Sequence, residues 1–143
     1  MNMEYKKFKD KYVIRIDKGE ELVEKLKEFC QKEKIKLGII TGIGATNKVT
    51  IGLFKTKTKK YHSKELTGDF EITSLVGNIS TMDNQIYLHL HINLSDKNYT
   101  SFGGHLNSAL ISGTFEGLIE VINGEVNRKL NPDVGLNLYQ FKK

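Results

Sequence analysis

The chain has 143 residues with 38% hydrophobic and 27% charged side chains, one cysteine and one proline, a length that suits a single domain over residues 1–143. The lone Cys30 excludes a disulfide framework and a cysteine-based zinc module. No apolar stretch nears the roughly 20 residues a membrane helix needs, and Met1–Lys7 has no apolar run after its lysines to form a secretory signal, so a soluble cytoplasmic protein is expected.

Tyr12-Val13-Ile14-Arg15-Ile16 is rich in β-branched residues and reads as a first strand. Asp17 with Glu20 three residues on has the form of a capping box, which places a helix start there. Leu22, Val23, Leu26, Phe29 and Cys30 then recur at helical spacing, with Lys25, Lys27, Glu28, Lys32 and Lys34 on the other face, so the helix is amphipathic. Cys30 falls on the apolar stripe, where packing rather than catalysis is its expected role. Leu37-Gly38-Ile39-Ile40-Thr41 reads as a short buried strand ended by Gly42-Ile43-Gly44, and residues 46–54 alternate as another. That glycine pair lacks the third glycine and following helix of a dinucleotide fingerprint, so a tight strand connection is expected.

Lys55-Thr56-Lys57-Thr58-Lys59-Lys60 opens a polar stretch to Lys64 that fits either a hairpin or a mobile loop. It also carries much of a charge asymmetry, because residues 1–64 have net charge +9 and residues 65–143 have −4. Such a surplus can mark a polyanion-binding face. However, only Arg15 and Arg128 are arginines, and base readout and phosphate clamps favour arginine, whereas solvated surfaces use lysine freely. Residues 70–79 give a further strand, Met82-Asp83-Asn84 a turn, residues 86–94 the cleanest strand and residues 114–122 the last long one; Pro132 marks a turn. One early helix followed by about six strands predicts an α+β fold, a mostly antiparallel sheet of about six to seven strands with the helix packed on it.

The histidines carry the chemistry. In Ile86-Tyr87-Leu88-His89-Leu90-His91-Ile92-Asn93-Leu94 every even position is apolar, so His89 and His91 share the opposite face, with Cα atoms about 6.6–6.8 Å apart. Two imidazoles so placed can converge on one metal ion. His105 follows Gly103-Gly104, a pair expected to let the backbone turn sharply and aim the imidazole across the sheet. Together the three would form a site for a divalent metal, zinc first, with one position left open. The plainer reading is two exposed strand histidines and a loop histidine that never meet. Glu116 and Glu120 are either exposed carboxylates or partners that orient a ligand imidazole; His62, inside the lysine run, reads as a solvated residue. No nucleophile elbow or phosphate loop occurs, so no reaction class follows, and whether the chain is an enzyme is left open.

Gly42-Ile43-Gly44, Gly68-Asp69-Phe70-Glu71-Ile72, Leu75-Val76-Gly77, His89-Leu90-His91 and Gly103-Gly104-His105-Leu106, with Glu116 following, resemble the plant-and-prokaryote-conserved domain family, often described as having a PD1-like DNA-binding motif. The resemblance runs from about Tyr12 to Ile122 and implies an α+β domain assembled as a homotrimer, some prokaryotic members containing metal. Plant members add AT-hook motifs, but this chain has no Arg-Gly-Arg-Pro core, and Asp69 and Thr73 stand where the plant segment has arginine and leucine. It therefore resembles the stand-alone prokaryotic type. Two roles follow as expectations: a DNA-associated trimer, as the family label implies, or a metal-dependent small-molecule binding protein or enzyme with no nucleic-acid role.

Overall fold

Strand alternation and one amphipathic stripe account for almost all of the architecture. The computed structural model describes residues 3–142. In chain order these form β1 (Met3–Phe8), β2 (Lys11–Asp17), α1 (Leu22–Lys32), β3 (Gly38–Lys55), β4 (Lys60–Met82), β5 (Gln85–Ser95), β6 (Ser101–Val121), β7 (Asn127–Asn131) and β8 (Leu136–Gln140). The expected α+β class holds, with one helix on a large sheet whose pairings are antiparallel except for a single parallel contact, Thr81 to Asn127, between β4 and β7. No helix among the described residues is long and apolar enough to cross a membrane.

Side-chain parity decides what the sheet buries. Tyr12, Ile14 and Ile16 of β2 point inward while Lys11, Val13 and Arg15 point out. On the inner face lie Leu22, Leu26, Phe29 and Cys30 of α1. The helix starts later than the capping box suggested. Asp17 still pairs with Thr114 at the end of β2, and Gly19, at φ +91°, turns the chain while its N–H bonds Ile111 O. Glu21 caps instead: Oε2 accepts from Glu24 N–H at 2.7 Å and Oε1 from Ala109 N–H at 2.7 Å, tying the helix start to β6.

Two glycine pairs expected to turn the chain do not. Gly42-Ile43-Gly44 lies within β3, where the ladder shifts register at a bulge and continues. The lysine-rich stretch is a hairpin, with Lys55 opposite Lys60 and Phe54 opposite Tyr61. Asp83 and Asn84, at φ +51° and +61°, form the two-residue turn from β4 to β5.

The pairing also closes on itself. β3 pairs with β4, β4 with β5, β5 with the start of β6, and the rest of β6 with β3. One register row therefore runs through β2, β6, β3, β4 and β5 and back to β6 on the face away from the helix: Val13, Leu118, Thr41, Val76, His91 and His105.

Candidate metal centre

His89 and His91 project from β5 on the face opposite buried Leu90, Ile92 and Leu94, as the alternation predicts. His105 arrives by a route the sequence did not suggest. Gly103 and Gly104 stay extended within β6, opposite Asn93 and Ile92, and His105 pairs directly with His91. The glycines supply clearance rather than a turn. A Cβ on Gly104 would lie 2.7 Å from Gly52 O, and one on Gly103 would press on Ile92 O. Gly52 in turn leaves room for the Tyr61 ring, which packs edge-on to His105 at 6.0 Å between centroids and donates its hydroxyl hydrogen bond to Asn107 Oδ1.

The three imidazoles meet. Ring centroids are 5.0 Å apart for His89–His91, 5.4 Å for His89–His105 and 5.7 Å for His91–His105. One ligand nitrogen from each lies within 4.8 Å of the others, and the His89 and His91 Nε2 atoms share a 3.2 Å hydrogen bond. A tetrahedral centre with bonds of 2.0–2.1 Å puts its nitrogens about 3.3–3.4 Å apart, so the His89–His91 pair already has that spacing. The surroundings also disfavour a charge on two of the rings. Burial, then the neighbouring His91 and His105, then Arg128, push the His89 pKa down to about 4. Burial and then His91 lower that of His105. Neutral rings keep a lone pair for a metal. The donor set thus fits a divalent ion held by three nitrogens, with a position left for another ligand.

Other candidate residues lie elsewhere. Glu116 and Glu120 do not orient these imidazoles: they sit eleven and fifteen residues further along β6, opposite Ile43 and Ile39. His62 is exposed on the lysine-rich hairpin, opposite Leu53. Cys30 is fully buried under the helix, and burial pushes its pKa up to about 12. The histidines open instead into a cleft of about 490 Å³ that also contains Arg128 from β7, a residue the sequence reading left aside. Its only signal there was to be the sole arginine after Arg15.

The comparisons agree with this architecture. A protein from Bacteroides thetaiotaomicron, called a candidate DNA-binding protein, is 41% identical with TM-score 0.96 over 99% of each chain. A plant- and prokaryote-conserved protein from Pyrococcus horikoshii is 33% identical with TM-score 0.85, covering 99% of this chain and 96% of that one. A metal-containing protein from Archaeoglobus fulgidus is 30% identical with TM-score 0.86 over 99% of each chain. No curated protein matches. The Plants and Prokaryotes Conserved (PCC) domain matches residues 3–123, the segment that builds the closed strand set and the three histidines, and the chain belongs to that family.

Proposed function

We propose that this protein is a single-domain homotrimer in which His89, His91 and His105 of each chain bind one divalent ion, zinc, and present its open position to a small ligand. The convergence of three ligand nitrogens within 4.8 Å carries the reading. A bound ion would act as a Lewis acid toward whatever occupies the remaining position. The protein's part is to hold the imidazoles aimed at one point, through β5 parity and the β5–β6 register. The metal-containing relative from Archaeoglobus fulgidus supports the same reading. The trimer is supported by Val13, Ile39, Ile43, Val76 and Leu118, which leave apolar surface exposed on the face away from the helix. The test is zinc titration with metal analysis after dialysis. One zinc per chain is expected for the wild type, and loss of it in His89→Ala and His105→Ala. A wild type that retains no metal, or alanine variants that retain it fully, would sink the reading.

A DNA-associated role is favoured by a different observation. Lys55, Lys57, Lys59, Lys60 and Lys64 are all exposed on one hairpin, and a trimer would present three such arms. The Bacteroides relative's name points the same way. Contact with several phosphates predicts affinity for duplex DNA that falls steeply with salt. Absence of binding at low salt would exclude it.

A further inference from the structure

The cleft beside the histidines holds a cationic group, Arg128, that nothing in its lining neutralises. Arg128 is 8% exposed, and its guanidinium carbon lies 4.7 Å from the Tyr87 ring centroid and 4.3 Å from that of Tyr139. Its Nε donates to Ser80 Oγ at 2.7 Å, Nη1 to the Asn137 carbonyl at 2.8 Å and Nη2 to Asn78 Oδ1 at 2.8 Å. All three acceptors are neutral. No carboxylate among the described residues forms an ion pair with Arg128, and no Asp or Glu lines the cleft. A guanidinium has five N–H donors, so two remain uncommitted.

A buried charge normally has a counter-charge. Here the cleft supplies none, and a metal ion on the histidines would add positive charge. Three neutral imidazoles would leave a divalent ion's charge undiminished, a few side chains from a permanent cation. An anion is the species that answers both. The rest of the lining says which kind. Phe54, Leu136 and Leu138 form an apolar wall, which an inorganic anion cannot use and a hydrocarbon body can. Arg128, Leu136 and Leu138 all belong to the β7–β8 hairpin, which lies beyond residue 123 and so outside the matched family segment.

We propose that this cleft binds a small organic carboxylate with an apolar tail, its charge answering Arg128 and the metal ion and its tail lying on the hairpin wall. The metal half rests on the three-histidine reading above; the Arg128 half stands on the hairpin alone. The probe is hexanoate, compared with acetate and inorganic phosphate, titrated by calorimetry into the zinc-loaded chain with zinc measured in the same samples. Hexanoate is expected to bind at least tenfold more tightly than either comparison anion, with Arg128→Gln weakening it at least tenfold. Because Arg128 is buried and Arg128→Gln can compromise folding, Leu138→Asp is the second variant. Leu138 lines the cleft and is 37% exposed, and a carboxylate there should repel hexanoate by a similar factor. No hexanoate binding, equal binding by the folded variants, or phosphate binding as tightly would overturn the proposal. If the chain takes up no zinc, the metal reading fails by itself. The metal-free titration then decides the anion site: hexanoate binding lost in the variants upholds it, and none overturns it.

Discussion

Two single residues make sharp tests of the packing. Cys30 is fully buried, and its ionisation is shifted from 9.0 to about 12 by burial, so at pH 8 the native protein holds essentially no thiolate. A thiol reagent should leave the folded protein unlabelled and modify one site per chain after unfolding in guanidinium; rapid labelling of the native form would contradict that burial. Gly104 makes the opposite kind of demand. Its missing Cβ would lie 2.7 Å from the Gly52 carbonyl oxygen, backbone that cannot rotate aside, whereas a Cβ on Gly113 would meet only the Ala45 methyl at an ordinary 3.6 Å. Gly104→Ala should therefore cost about 1–3 kcal/mol in urea unfolding, and Gly113→Ala much less. Equal midpoints for the two variants would show that β3 and β6 do not approach as closely as described.

At the scale of elements, the lysine-rich hairpin separates charge from structure. Lys57 sits in the turn and Lys60 is exposed opposite Lys55, so replacing both with Ser should change stability by no more than about 0.5 kcal/mol. Lys59 differs, because its Nζ donates to the Pro132 carbonyl at 2.6 Å and joins this hairpin to the β7–β8 turn. Lys59→Ser should cost more than the double change, as read by thermal unfolding, and equal effects would remove that tie. What the sequence revealed follows from what buries surface. β5 was legible because strict alternation leaves one face fully apolar, and α1 because its stripe repeats at helical spacing. β1 was missed because the edge strand Met-Glu-Tyr-Lys-Lys-Phe is exposed along most of its length and mixes polar with apolar residues, and β7 and β8 because five-residue strands around Pro132 carry little pattern. The glycines misled for a physical reason. Glycine serves turns and close strand approach equally well, and only the neighbouring strand, distant in sequence, decides between them. His89 and His91 were paired by parity alone, but the partner of His105 depended on a register that no local signal encodes.

At the scale of the whole molecule, the face away from the helix is where the proposed trimer can be tested. Val76 is 54% exposed and lies between Thr41 and His91 in the row that crosses the sheet. Light scattering should give three times the 16.3 kDa chain mass for the wild type, and Val76→Asp should shift the population toward single chains by placing a charge on the proposed interface. A wild-type monomer at micromolar concentration would refute the trimer. The closed set of β3, β4, β5 and β6 has a consequence in time as well as in space. His91 and His105 are neighbours only once the start of β6 has found β5 and the remainder has found β3, contacts that join residues as distant as Gly38 and Val121. Non-local pairing of this kind forms late, whereas α1 and the tight β4–β5 turn are local and early. In refolding, then, the helical circular dichroism signal should recover first and competence to capture zinc last. The metal would serve as a clock that stops only when the final pair of strands is seated.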